Sequence, residues 1–178
     1  MEIHTYPDPV LKKPAEKVRD FGSALAALAE GMVRTMLDAN GLGLAAPQVG
    51  ASVRVAVVSP DGVPGNETVM VNPEIVFSDG WMEADEGCLS FPGVYARIGR
   101  FLRVKARYHD LHGLVREMEA EGLLARAIQH ELDHLDGRLL VDRMSEVQRA
   151  THRRRLQELQ QRHHDRAAQA EAGQELAR

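Results

Sequence analysis

The chain has 178 residues, of which 44% are hydrophobic and 27% are charged, a composition that is typical of a single globular domain. Its formal net charge of −4 argues against nucleic-acid binding by the chain as a whole, and we expect no DNA partner. No apolar run approaches the length of a membrane span, and the first residues lack the basic and apolar segments of a signal peptide, so we expect no membrane association.

The N-terminal part of the chain predicts an extended arm followed by a helix. Prolines punctuate residues 1–20, which indicates an extended segment with turns. Leucine and methionine then recur at helical spacing over residues 23–38, with Ser23 as the expected N-cap. The Asn-Gly pair at residues 40–41 is expected to end this helix.

Residues 41–50, with the sequence GLGLAAPQVG, form a loop of small residues. They match the looser dinucleotide fingerprint G-x-G-x-x-A, but a helix precedes them and Pro47 disfavours helical conformation at Ala46. We therefore reject dinucleotide binding. Such a loop instead allows its backbone to approach another chain closely, and Gln48 is its one strongly polar side chain.

The middle of the chain predicts several strands. Alternating or β-branched residues indicate strands at residues 53–58, 68–77 and 94–98, the second of them broken at the Asn-Pro pair 72–73. Residues 101–109 and 114–119 are expected to form a hairpin across a turn at 110–113.

A polar segment at residues 80–92 is expected to be irregular and contains the sequence EGCLS at 86–90. Its cysteine, Cys88, is the only one in the chain and cannot form an internal disulfide. This cysteine usage favours a reducing compartment, so we expect a cytoplasmic protein.

Residues 123–136 predict a buried helix that ends at Gly137, and they contain the sequence HELDH. On a helix His130 and His134 lie one turn apart on the same face, so both imidazoles can reach one metal ion. Glu131, next to the first ligand, is placed to move protons to and from water at that metal.

A catalytic metal usually has three protein ligands, and the residues leave the third one open. Metzincin proteases supply a later histidine, but Leu140 stands at that position here. A zinc endopeptidase of the gluzincin type would use a glutamate from a later helix, for which Glu158 is the best placed candidate. Cys88, upstream, is the other candidate, since a thiolate is a strong ligand for zinc or ferrous iron.

The C-terminal region predicts further helix. Ser145 with Gln148 three residues later indicates a capping box. The arginines at residues 153–155 are typical of a solvated helix face, or alternatively of a contact with RNA or the ribosome. A non-catalytic binding protein that works through these arginines is therefore a second hypothesis.

Three motifs in order resemble peptide deformylase: GLGLAAPQ at residues 41–48, EGCLS at 86–90 and QHELDH at 129–134. The resemblance extends from the proline-containing arm to the C-terminal helix. It implies an α+β fold in which antiparallel or mixed β-sheets pack around a central helix carrying the H-E-x-x-H motif, with an N-terminal and a C-terminal helix. We expect one catalytic domain at residues 1–165 and a charged helical tail at 166–178.

The resemblance also implies the reaction, which is removal of the N-formyl group from the N-terminal formylmethionine of new polypeptides, with release of formate. Cys88, His130 and His134 would hold one divalent metal ion. Ferrous iron is the first expectation, with zinc, nickel or cobalt as substitutes. Metal-bound hydroxide would be the nucleophile and Glu131 the general acid and base, while the Gln48 side chain and the Leu89 backbone N–H would stabilise the oxyanion.

The expected partners are N-formylmethionyl peptides and, through the basic C-terminal helix, the ribosome. Leu123 and Ala127 share a helix stripe with His130, so they are expected to wall an apolar slot for methionine. The peptide backbone is expected to pair with a loop edge near Gly43 or Gly93. The full set of expected substrate-binding residues is Leu42, Gly43, Gly41, Glu86, Leu123 and Ala127.

Overall fold

The computed structural model describes residues 1–176, and for Ala167 and residues 170–176 it describes the backbone alone. The described helices are α1 (Ser23–Asp38), α2 (Gly122–Leu135), α3 (Leu140–Arg143), α4 (Glu146–Thr151) and α5 (Arg153–Leu176). The described strands are β1 (Gly43–Ala45), β2 (Val55–Val58), β3 (Thr68–Asp79), β4 (Met82–Gly87), β5 (Tyr95–Arg100), β6 (Arg103–His109) and β7 (Val115–Glu121).

The strands form two antiparallel sheets. Five of them lie in the order β1-β2-β3-β6-β7, and β4 and β5 form a separate two-stranded sheet. The β6–β7 hairpin confirms the pairing predicted across residues 110–113. The expected α+β class is confirmed.

Helix α2 lies at the centre of the molecule. It contacts β1, β2, β6 and β7, which all belong to the five-stranded sheet. Ile128 and Leu135 are fully buried, yet the helix also buries arginine, glutamine, glutamate, aspartate and both histidines. Burial of so many polar groups is costly unless they are paired, so their partners must lie on this helix or on the elements that pack against it.

Two apolar clusters flank this centre. On one side Met32 and Met36 of α1 pack against Val55 and Val57 of β2, and all four are fully buried. On the other side the first turns of α5 and α3 pack around Phe91, which follows the EGCLS motif and is fully buried. The segments that carry the motifs are thus held between the N-terminal and C-terminal helices.

Three local predictions are wrong. Residues 80–92 are not irregular, since β4 occupies 82–87 and pairs with β5 along its whole length. The alternation of buried and exposed positions in β4 is not visible in the sequence, because its one buried side chain is the carboxylate of Glu86 rather than an apolar group. Strand β3 is not broken at residues 72–73, because a register shift between Val71 and Glu74 absorbs the irregularity. Ser23 is the first helical residue and not the N-cap, which is Gly22.

The C-terminal helix begins after a confirmed capping box. The Gln148 backbone N–H donates to Ser145 Oγ at 3.2 Å, and the Gln148 side chain accepts from the Ser145 backbone N–H at 2.8 Å. Helix α5 then runs without interruption across residue 166, where the charged tail was expected to begin. Residues 177–178 of that tail lie outside the described residues. No helix among the described residues has the length and apolar character needed to cross a membrane.

Gly137, which ends α2, offers a test of this packing. Its φ is +73°, and a Cβ at this position would lie 2.5 Å from the Lys12 carbonyl oxygen in the N-terminal arm. Gly65 is the matched control, since its φ is +96° but no atom of the described residues lies within 4 Å of a Cβ built there.

We expect Gly65→Ala to lower the free energy of unfolding by about 1 kcal/mol, the cost of a side chain in the left-handed region. Gly137→Ala should lower it by about 3 kcal/mol, because a clash with backbone adds to that cost. Urea denaturation of both variants measures the difference. Equal losses would contradict the close approach of the arm to the end of α2.

Candidate active site

Three potential metal ligands meet beside α2. The ligand atoms of Cys88, His130 and His134 all lie within 4.8 Å of one another. Cys88 Sγ is 3.2 Å from His134 Nε2, and the two imidazole ring centroids are 4.9 Å apart. Metal–sulfur and metal–nitrogen bonds of about 2.0–2.3 Å place ligands of one ion roughly 3–4 Å apart, so this group fits a divalent ion.

Glu86 orients the first of these histidines. Its Oε1 lies 2.6 Å from His130 Nδ1, which leaves Nε2 directed toward the cluster. Burial opposes ionisation of Glu86, but hydrogen bonds from His130 and Arg100 hold the pKa of Glu86 well below its usual range. Burial would likewise lower the pKa of His130, but the Cys88 sulfur and the Glu86 carboxylate raise it well above its usual value. The pair therefore consists of a carboxylate and a ring that donates to it from Nδ1.

A buried cluster of charges surrounds Glu86. Arg100 donates to both of its oxygens, from Nε at 3.1 Å and from Nη2 at 2.6 Å, and reaches Asp133 through Nη1. Arg126 donates to Glu86 Oε2 from Nη1 at 2.9 Å. Glu86, Arg100, Arg126 and Asp133 are all at least 93% buried, and their two positive and two negative charges balance. Removal of one member would leave an unpaired charge in the interior.

Glu131 is deeply buried beside these potential ligands. It is 3% exposed, and its Oε2 has no hydrogen-bond partner among the described residues. Burial raises the pKa of Glu131 to about 7, the range in which a carboxyl can both take and give a proton at neutral pH. Gly43 of β1 makes room for it, since a Cβ there would lie only 2.1 Å from Glu131 Oε1.

Gln48 is fixed at the opposite wall of the site. Its Oε1 accepts a hydrogen bond from the Ala45 backbone N–H at 2.8 Å. Its Nε2 lies 3.1 Å from Ser90 Oγ and 3.7 Å from Cys88 Sγ. The amide is therefore oriented with its N–H groups toward the EGCLS segment. Leu89 follows Cys88 and approaches Gly41, where a Cβ would lie 2.9 Å from Leu89 Cδ1.

A pocket of about 620 Å³ opens beside these groups. Its walls include all six expected substrate-binding residues, together with Gln48, Cys88, Leu89, His130 and Glu131. Leu123 is 55% exposed and lies toward the rim, whereas both oxygens of Glu86 are occupied by the cluster of charges. The pocket also has Tyr95 and Arg126 in its walls, which the sequence analysis missed. Arg126 could have been found, because it lies one helical turn before His130.

Glu158, the alternative third ligand, is engaged elsewhere. It lies on α5, where its carboxylate pairs with Arg154 and Arg155. Leu140, at the position of the metzincin histidine, is buried in the apolar cluster around Phe91. Among the described residues, Cys88 is the third member of the group of potential metal ligands that contains His130 and His134.

Comparison with known families agrees with this geometry. The family model for polypeptide deformylase matches residues 1–150. The chain belongs to the polypeptide deformylase family. This match confirms the resemblance noted in the three motifs. The family consists of metal-dependent amidohydrolases.

Individual relatives extend over nearly the whole chain. A peptide deformylase of Thermodesulfovibrio yellowstonii is 47% identical over 157 residues, which cover 87% of this chain and 95% of the relative. A crystal structure of Arabidopsis thaliana peptide deformylase 1B in complex with an inhibitor is 38% identical, covers 94% of both chains and has a TM-score of 0.90. A peptide deformylase structure from Legionella pneumophila is 43% identical with a TM-score of 0.85, covering 89% of this chain and 94% of that one.

The ligand set can be tested by metal analysis. We expect Cys88→Ala, purified anaerobically, to lose at least ~100-fold in metal affinity, since partners one step removed from a metal already contribute ~10–100-fold. Glu158→Ala should retain the metal content of the wild type. Elemental analysis after dialysis measures both. If Cys88→Ala retained its metal and Glu158→Ala lost it, Glu158 and not Cys88 would be the third ligand.

Proposed function

We propose that this enzyme removes the N-formyl group from the N-terminal formylmethionine of newly synthesised polypeptides and releases formate. Family membership supports a deformylase. The observation that carries the proposal is the buried Glu131 carboxyl, whose Oε2 has no hydrogen-bond partner among the described residues and which lines the same pocket as Cys88 and His130. A pocket that places a proton carrier beside a metal cluster suits hydrolysis of a small amide.

The cluster of Cys88, His130 and His134 would hold one divalent ion. When bound, such an ion acts as a Lewis acid and makes water available as a nucleophile near neutral pH. We propose ferrous iron as the native ion, with zinc, nickel or cobalt as substitutes, because one thiolate and two imidazoles suit all of these ions.

Glu131 carries the protons of the reaction. Its free Oε2 is positioned to accept a proton from the attacking water as the water oxygen bonds to the formyl carbon. The same carboxyl then returns that proton to the amine nitrogen as the carbon–nitrogen bond breaks. The products are formate and a peptide with a free N-terminal amine.

Two donors would stabilise the oxyanion that forms on the formyl oxygen. The Gln48 side-chain oxygen accepts a hydrogen bond from the Ala45 backbone N–H, so the Nε2 amide is oriented before substrate arrives. The backbone N–H of Leu89 follows the Cys88 ligand directly. Loss of one such donor typically lowers the rate by ~10²–10³-fold.

The pocket accommodates the rest of the substrate. Leu42, Leu123 and Ala127 would contact the methionine side chain, and the edge of β1 at Gly43 would pair with the peptide backbone by strand addition. Backbone pairing is independent of side chains, which suits an enzyme that must accept many second residues. Glu86 acts through His130, and Gly41 leaves room for Leu89.

Formate release tests the proposal directly. Wild type supplied anaerobically with iron, nickel or zinc should release formate from a formyl-methionyl tripeptide. Glu131→Gln should lower turnover at least ~10²-fold at unchanged metal content, because it removes the proton carrier. Glu158→Gln, an exposed glutamate changed in the same way, should retain full turnover. No formate from wild type with any of the three metals would overturn the proposal.

A ribosome contact through α5 would place the enzyme beside its substrates in the cytoplasm. Arg153 and Arg154 are exposed, and the Arg154 side chain is 93% exposed. We expect Arg153→Glu/Arg154→Glu to weaken co-sedimentation with ribosomes at low salt while formate release from a short peptide is unchanged. Co-sedimentation equal to that of the wild type would contradict a role for these arginines.

A further inference from the structure

Arg126 makes an unusual set of contacts for a residue in the wall of a substrate pocket. It lies on α2, four residues before His130, and is 4% exposed. Its guanidinium donates to Glu86 Oε2 at 2.9 Å, to the Ile98 carbonyl at 3.0 Å and to the Met82 carbonyl at 3.1 Å. These three acceptors are a carboxylate and two backbone oxygens, so its donors face the protein and not the pocket.

The two carbonyls belong to different strands of one hairpin. Met82 opens β4 and Ile98 lies in β5, while Cys88 directly follows β4. Arg126 therefore joins the helix that carries both histidines to the hairpin that carries the cysteine. A planar guanidinium presents five donors on three nitrogens in a fixed geometry and so holds these three separated acceptors at once, whereas the three donors of an ammonium all lie on one nitrogen.

The contact to Glu86 extends this link to a ligand. Glu86 Oε1 holds His130 Nδ1, and Arg126 holds the other oxygen of the same carboxylate. Arg100, the last residue of β5, also holds Glu86 and makes the reciprocal link from the hairpin to Asp133 and the Gln129 carbonyl of α2. Only Arg126, of these two arginines, also donates to backbone carbonyls of the hairpin.

We propose that Arg126 is a positioning residue of the metal site, which fixes the Cys88 arm relative to the His130–His134 helix and orients His130 through Glu86. This inference rests on the proposed function, in which those three residues hold the metal. It makes Arg126 neither a ligand nor a substrate contact. Its loss therefore alters the metal site and turnover, and leaves substrate affinity unchanged.

Cobalt(II) as a spectroscopic probe tests this role in the full chain. Arg126→Met keeps an unbranched apolar stem and removes the charge and the donors. We expect it to lose cobalt to a chelator at least ~10-fold faster than the wild type and to lower kcat by ~10–100-fold, as is usual for partners of metal ligands. The thiolate-to-cobalt charge-transfer band should shift, and KM for a formyl-methionyl tripeptide should stay near the wild-type value.

Arg97→Met is the matched control, because Arg97 lies on the same hairpin but is exposed. Its ion pair with Glu83, at 3.8 Å, is long. It should match the wild type in all four measurements. Arg126→Lys keeps a cation beside Glu86 without the three-way contact, and should lie between the wild type and Arg126→Met. If Arg126→Met does not fold, Arg126→Lys decides alone, and metal loss and a spectrum equal to wild type overturn the proposal.

Other outcomes are also decisive. A wild-type spectrum and wild-type cobalt loss in Arg126→Met, even with a lower unfolding midpoint, would reduce Arg126 to a purely structural role and overturn the proposal. A raised KM with an unchanged spectrum would make it a substrate contact, with the same consequence. A wild-type protein whose cobalt spectrum does not depend on Cys88 would instead overturn the proposed metal site itself.

Discussion

The site depends on one buried ionic hydrogen bond, between the Glu86 carboxylate and Nδ1 of His130. A carboxylate in the interior is costly unless its charge is balanced and its lone pairs are occupied. Arg100 and Arg126 do both, and Asp133 accepts from Arg100, so that two carboxylates balance two arginines. Since these groups come from α2 and from the β4–β5 hairpin, the same ion pairs that stabilise the interior also bring the cysteine to the two histidines. The burial of these charges and the approach of Cys88 to the two histidines therefore rest on the same contacts.

The same packing separates the chemical roles of two glutamates. Glu86 is surrounded by donors, which keep it ionised, whereas burial raises the pKa of Glu131 to about 7, and its Oε2 has no hydrogen-bond partner among the described residues. The difference arises from neighbours and not from residue type. Gly43 contributes by omission, because any side chain there would occupy the space of the Glu131 carboxyl. A glycine-rich loop next to a metal helix thus has a specific physical purpose in this fold.

Much of this could be read from the sequence, because local patterns carry it. The H-E-x-x-H spacing predicted a buried helix with both histidines on one face, and periodicity located α1 and the β6–β7 hairpin. Strand β4 was missed, since its buried position is a charged residue and the strand therefore lacks an apolar alternation. Arg100 was missed for a related reason: it has the same composition signal as an exposed arginine, and only the tertiary structure shows that it is 4% exposed. The pocket residue Tyr95 has no sequence signal at all, because its place depends on the register of β5 against β4.

We propose that Cys88, which follows β4, and His130 and His134 of α2 form a single metal site in this chain. X-ray absorption at the metal edge of the anaerobically purified protein measures the ligand set directly. We expect one sulfur ligand at about 2.3 Å together with two imidazole nitrogens, as thiolate and histidine ligands give in proteins. A spectrum without sulfur, with two imidazoles and a carboxylate instead, would contradict it and would restore the reading of the H-E-x-x-H helix as that of an endopeptidase.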